Sequence, residues 1–178
     1  MAGHRRILFA VDESASCRRA FQWFLRWMWR SGSNQEEGVE DAITLIHVIA
    51  PELNPHPSVD EAQMRTTTPP TTNADGAPLV MEEAFAAGKA LCQGFLDLAF
   101  QAGATHCDAC IAVDRRPATG KAVIKSALIR GVDMIVMGSR GRGALHRTLH
   151  LGSVGKYIVR HSHIPVTVIP PNSSHSYC

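Results

Sequence analysis

Short apolar runs recur along this chain, each followed by a stretch of helical periodicity, and that alternation leaves few folds open. The runs are Ile7 to Val11, Ala42 to Ile49, Ala109 to Val113, Met134 to Met137 and Pro165 to Ile169. Unbroken apolar runs of this length predict strands buried on both faces. Strands alternating with helices imply parallel pairing and right-handed crossovers. The expectation is a single α/β domain over residues 1–178, built as an open five-stranded parallel sheet flanked by helices in the Rossmann-like manner.

The intervening stretches carry helix signatures. Cys17, Ala20, Phe21, Phe24, Leu25 and Met28 recur at spacings of three and four, opposite Arg18, Arg19, Gln22, Arg26 and Arg30. Ser14 and Ser16 offer N-cap oxygens, and Gly32 closes this first helix. Trp23 and Trp27 border its apolar stripe and read as core margin. Ala84, Gly88, Leu91, Phe95, Leu98 and Ala102 define a second helix from Met81 to Ala102, with Gly103 at the C′ position. Lys121 to Ile129, closed by Gly131, is the third, and Ser153 to His161 the last.

From Pro51 to Pro78 the pattern lapses. Prolines stand at 51, 55, 57, 69, 70 and 78, threonines cluster at 66–68 and 71–72, and large apolar side chains are few. Such a segment cannot offset its ordering entropy by burial, so a long loop is expected over about 51–80.

Composition narrows the partners. Lys and Arg total 18 against 16 Asp and Glu, a formal charge of +2, which gives no broad basic face for nucleic acid. No apolar run reaches the roughly 20 residues that cross a bilayer, and Met1 to Arg6 lacks a signal-peptide layout, so a soluble cytoplasmic chain with no membrane partner is expected. The cysteines are odd in number and scattered, at 17, 92, 107, 110 and 178, which suits reduced thiols.

Ligands of open α/β sheets sit beyond the carboxyl ends of the strands. After the fourth run stands Gly138-Ser139-Arg140-Gly141-Arg142-Gly143, and farther on Gly152-Ser153-Val154 opens a helix. Glycines admit close approach of backbone to oxygen atoms, and free N–H groups at a helix start favour anions. Amides at Gly138, Gly141, Gly152 and Ser153 would thus hold a polyphosphate, the Ser153 hydroxyl adding a donor or a metal contact, with Arg140, Arg142 and Arg147 screening charge. On residues alone a plain turn at these glycines stays open as well.

Met137-Gly138-Ser139-Arg140-Gly141 followed by Leu151-Gly152-Ser153-Val154 resembles the nucleotide signature of the universal stress protein family. Arg6 to Asp12, Leu45 to Val48 and Ile164 to Val168 resemble its opening, second and closing strands, so the resemblance spans nearly the whole chain apart from Pro51 to Pro78. It implies an adenine nucleotide alpha-hydrolase-like fold that binds ATP, with magnesium or manganese as the accompanying metal. Asp12 would contact the ribose, Ala10, Val11, Val48 and Met137 would flank adenine, and Gly138, Arg140, Gly141, Arg142, Gly152, Ser153 and Val154 would surround the phosphates. The connection between Gly141 and Gly152 is one residue longer than the family pattern, and loop closure tolerates such an insertion. Pro117-Ala118 fits the family's third strand-to-helix link, whereas Arg115 and Arg116 do not. The resemblance also implies a homodimer through the last strand.

Other signals are weaker. Thr119-Gly120-Lys121 lacks the upstream glycine and the following Ser or Thr of a P-loop. Cys107-Asp108-Ala109-Cys110 has no second pair and is read as preceding a strand, which leaves two ordinary thiols. His146 with His150, and His161 with His163, lack a partner ligand at metal-binding spacing. Three functions therefore stay open: a nucleotide-dependent regulator of the stress response, an interaction module without nucleotide, and a slow ATP hydrolase.

Overall fold

The computed structural model describes residues 4–30, 40–49, 76–113, 119–139 and 151–170. In chain order the elements are β1 (Arg6–Ala10), α1 (Ala15–Trp27), β2 (Ala42–Ile49), α2 (Gly76–Gln101), β3 (Cys107–Val113), α3 (Thr119–Arg130), β4 (Met134–Gly138), α4 (Ser153–His161) and β5 (Val166–Ile169). The five strands form one all-parallel sheet in the order β3-β2-β1-β4-β5. This is the expected open α/β architecture.

Side chains leave the strands alternately to the two faces, and each face has its own core. Ile7 and Phe9 of β1, and Val11 just beyond it, pack with Ile43, Leu45 and Val136 against Cys17, Phe21 and Phe24 of α1 and Cys92 and Phe95 of α2. Leu8 packs with Ile46, Ile135 and Met137 against Val123 and Ala127 of α3 and Ile158 of α4. Edge-to-face rings tighten the first core, with Phe9 and Phe21 centroids 4.9 Å apart and Phe21 and Phe95 5.3 Å apart. Trp23 packs at this core's margin, while Trp27 is 52% exposed.

Two element boundaries differ from expectation. α2 begins at Gly76, so residues 76–80, assigned to the long loop, are helical. Pro78 does not prevent this, because a first-turn residue has no intrahelical N–H bond to lose. β3 begins at Cys107, so the Cys107-Asp108-Ala109-Cys110 stretch lies within a strand and not ahead of one. Gly32, residues 51–75, Pro117-Ala118 and Cys178 lie outside the described residues.

The helix ends follow local rules. Gly103 at φ +94 and Gly131 at φ +58 take the left-handed conformation that ends a helix, with Ala104 N–H bonding Ala99 C=O and Val132 N–H bonding Ala127 C=O. α3 and α4 approach so closely at Gly120 that an added Cβ would lie 2.7 Å from Tyr157 Cδ1.

The amino ends of the strands are held by two buried carboxylates. Asp41, fully buried, accepts bonds from the Arg5 guanidinium, from Arg30 N–H at 2.9 Å and from Arg30 Nε at 3.1 Å. Glu40 accepts from Thr105 N–H and Oγ1, each at 2.7 Å, and from His106 N–H at 3.1 Å. Burial alone would raise both carboxyls, but these donors outweigh it and hold both below their ordinary values.

Candidate functional site

The chain leaves β1 for α1 on one face of the sheet and leaves β4 for α4 on the other. Since β1 and β4 are neighbours, a crevice opens between their carboxyl ends, the switch point of an open α/β sheet. Of the predicted site residues among those described, Ala10, Val11 and Asp12 stand at the end of β1, Met137 and Gly138 at the end of β4, Gly152, Ser153 and Val154 at the start of α4, and Val48 at the end of β2. Ala10 pairs in register with Met137 and with Ile46, and Gly138 pairs with Ile169. Ser139 N–H bonds Ile169 C=O at 2.8 Å, and Gly152 N–H bonds Ser139 C=O at 3.1 Å, which ties the start of α4 to the end of β4. Val48 lies two residues beyond Ile46 on β2. Arg140, Gly141, Arg142 and Arg147 lie outside the described residues.

The start of α4 suits an anion. Its first helical bond runs from Lys156 N–H to Gly152 C=O, so the N–H groups of Ser153, Val154 and Gly155 precede the ladder. No acidic residue stands in the first turn and no side chain caps it, so the positive end of the helix dipole is not neutralised locally. A Cβ added at Gly152 would meet none of the described atoms within 4 Å. The Ser139 hydroxyl is buried with no hydrogen-bond partner among the described residues, a condition that calls for a partner. One expected donor is corrected: the Gly152 amide is already spent on Ser139, so among the described residues Ser153, Val154 and Gly155 hold the N–H groups that precede the ladder.

The opposite wall is the β1–α1 turn. Val11 N–H bonds Ile46 C=O at 2.9 Å, and His47 Nδ1 donates to Val11 C=O at 3.1 Å, so Nδ1 carries the ring proton. Asp12 Oδ1 accepts from Ser14 N–H at 2.8 Å, and Ser14 Oγ caps α1 by accepting from Cys17 N–H at 3.1 Å. Asp12 therefore shapes the turn while remaining half-buried at the crevice. Burial pushes the Cys17 thiol up to about 12 from 9.0, and the nearby Asp12 charge adds to that rise. Met137, Ala10, Val48 and Val154 belong to the second core, so the floor of the crevice is apolar. His47, Cys17 and Ser139 were not singled out from sequence; Cys17 and His47 lie in stretches that read as core.

The alternative features fare differently. Cys17, Cys92, Cys107 and Cys110 are free thiols, and Cys107 and Cys110 pack into opposite cores, so they cannot share a metal. His161 stacks on Tyr157 with centroids 4.1 Å apart, and His146 and His150 lie outside the described residues. An open cleft at the amino end of the sheet contains Arg6 and Arg130, but these already face Asp133 at 3.8 Å and Asp108 at 3.3 Å. No helix among the described residues is long and apolar enough to cross a membrane.

Comparisons with known proteins fit this architecture. A universal stress protein of Synechocystis sp. is 45% identical over 51 residues, which are 29% of this chain and 46% of that protein, so the chain spans about half the length of this relative. The universal stress protein UspA from Lactobacillus plantarum superposes with a TM-score of 0.62 at 22% identity, over 95% of this chain and 99% of that one. A universal stress protein solved in complex with cAMP gives a TM-score of 0.59 at 19% identity, over 96% and 99% of the two chains. These likenesses carry the fold. The sequence model of the universal stress protein family matches residues 3–170, and the chain belongs to that family.

Proposed function

We propose that the chain binds an adenine nucleotide, ATP with magnesium or manganese on its phosphates, in the crevice between β1 and β4, and that occupancy is its regulatory output. The observation that carries this reading is the start of α4. Three N–H groups precede its first helical bond, no acid stands in its first turn, and the buried Ser139 hydroxyl beside it has no described partner. A phosphate chain is the chemistry such an end recognises.

The other residues then take roles by position. Asp12 faces the ribose, while Ala10, Val11, Val48 and Met137 supply the apolar surroundings of the base. Gly138, Gly152, Ser153 and Val154 line the phosphates, joined by Arg140, Gly141 and Arg142 of the connection. A ligand that touches both the β1–α1 turn and the start of α4 favours whichever arrangement brings them together, which makes occupancy a conformational signal. The structural relative solved with cAMP supports the adenine nucleotide class.

The proposal includes a homodimer through β5, an edge strand. Pro165 and Ile169 carbonyls face β4, so by strand alternation the N–H groups of Val166 and Val168 point outward, ready for a second copy. Val168→Pro removes one outward donor and leaves the β4 ladder; sedimentation should then show a monomer, and an unchanged dimer would exclude this edge.

The direct test is calorimetric titration of magnesium-ATP into the wild-type chain and Gly152→Val, with cAMP as competitor. Gly152 has φ −60, open to any L residue, so the variant folds while its side chain fills the space above the turn. Saturable binding that disappears in the folded variant supports the site. Equal affinity in both chains refutes it.

A further inference from the structure

The turn that presents Asp12 is bonded at almost every backbone atom, and one side chain supplies two of those bonds. Cys17, in the first turn of α1 and 2% exposed, accepts the Asp12 N–H on its sulfur at 3.4 Å and directs its S–H at Ala10 C=O, 3.6 Å away. Its own N–H binds Ser14 Oγ at 3.1 Å, and Ser14 N–H binds Asp12 Oδ1 at 2.8 Å. His47 takes the intervening Val11 carbonyl. The thiol thus closes a ring of contacts around residues 10–12 from the helix side.

We infer that Cys17 is a positioning residue for Asp12, its thiol acting as donor and acceptor at once to fix the β1–α1 turn and so aim the Asp12 carboxylate into the crevice. This rests on the nucleotide reading of that crevice. The geometry needs sulfur in its protonated form, since a thiolate has no proton for Ala10 C=O. It also needs sulfur's reach. A serine Oγ sits closer to its Cα, whereas O–H···O bonds want about 2.7–2.8 Å, so a hydroxyl satisfies one partner at the expense of the other. Alanine satisfies neither, and two polar groups beside the core lose their partner. The packing of Cys17 among Phe9, Phe21 and Phe24 in the first core is a separate duty, which the apolar stripe already accounts for.

The test uses the full chain as wild type, Cys17→Ala, Cys17→Ser, Asp12→Asn and the Ala/Asn double variant, with two readouts. The first is amide exchange without ligand. In Cys17→Ala the Asp12 amide should exchange at least about tenfold faster, while Ile7 to Phe9 keep their protection, and Cys17→Ser should fall between. The second is the ratio of affinities for ATP and 2′,3′-dideoxy-ATP. Cys17→Ala should lose at least about fivefold of that ratio, Asp12→Asn a similar amount, and the double variant no more than either. A purely packing role predicts weaker stability with the ratio intact. Unchanged Asp12 exchange, or a Cys17→Ala ratio equal to wild type while Asp12→Asn loses it, overturns the inference. If the wild type binds neither nucleotide, the crevice reading fails, and exchange at Asp12 alone decides the part played by the thiol. Should Cys17→Ala not fold, the serine variant carries both readouts.

Discussion

Replacing Gly152 by Asp should raise the stability of this protein and weaken the proposed binding of phosphate. Gly152 is the N-cap of α4, with no side chain to accept a first-turn N–H. Asp supplies that acceptor and sets a negative charge at the positive end of the helix. Capping by Asp improves on Gly by a few tenths of a kcal/mol, and the dipole interaction adds about 0.3–1 kcal/mol. A gain of about 0.5–1 kcal/mol corresponds to roughly 2 °C in Tm for a chain of this size. The backbone at φ −60, ψ 165 accepts the side chain without strain, and nothing described lies within 4 Å of the new Cβ. The same carboxylate competes with phosphate for the amides of Ser153, Val154 and Gly155. Placed about 5 Å from a phosphate charge at an effective dielectric near 20, it opposes binding by about 3 kcal/mol, roughly a hundredfold in Kd. Asn, with the same shape and capping ability but no charge, separates the two effects. It should stabilise similarly, bind magnesium-ATP more tightly than Asp, and lose that advantage as salt rises. Thermal melts and calorimetry read both signs. An Asp variant that binds as tightly as the wild type would show that no phosphate approaches this helix end.

The remaining predictions concern the supports of the fold. Asp41 and Glu40 have carboxyls held below their ordinary 3.8 and 4.5, so their stabilisation is complete above those values and is lost as pH falls below them. Asp41→Asn should cost about 3 kcal/mol at neutral pH and flatten the acid limb of a stability–pH curve; an unchanged acid limb contradicts the assignment. Cys17 keeps its proton to about pH 12 in the folded chain, whereas the unfolded thiol releases it near 9. The folded state then binds more protons, so stability falls as pH rises from about 9, and Cys17→Ala should lessen that slope in denaturant titrations. Gly120→Ala improves helix propensity by up to about 1 kcal/mol, yet its Cβ meets the Tyr157 ring base at 2.7 Å. A net loss of about 1–2 kcal/mol is expected from overpacking, and a stabilised variant would mean that α3 and α4 part easily.

Periodicity was enough for most of the architecture. Ala42–Ile49 and Ser153–His161 fall where their patterns end, because Pro51 and Gly152 mark the boundaries chemically. The start of α2 was missed since Pro78 reads as a breaker, although the first turn of a helix has no use for its missing N–H. The start of β3 was missed because Cys107 and Asp108 interrupt the apolar run; β3 is an edge strand with Asp108 exposed. At the crevice, Gly138 was legible from its place after a strand, Gly152 and Ser153 from theirs at a helix start, and Asp12 from the family resemblance alone. The bond from Gly152 to the Ser139 carbonyl and the double engagement of Cys17 were not, because each depends on where two elements meet in space.

The strict alternation of strand side chains between two cores turns the sheet into a partition. Phe9 and Leu8, one peptide apart, belong to different compartments, and an extra residue anywhere inside β1 would exchange their tenants wholesale. Substitutions on opposite sides share few neighbours and should combine additively. At the carboxyl rim the β1–α1 turn comes from one compartment and the start of α4 from the other, so a molecule seated there would be in a position to sense both.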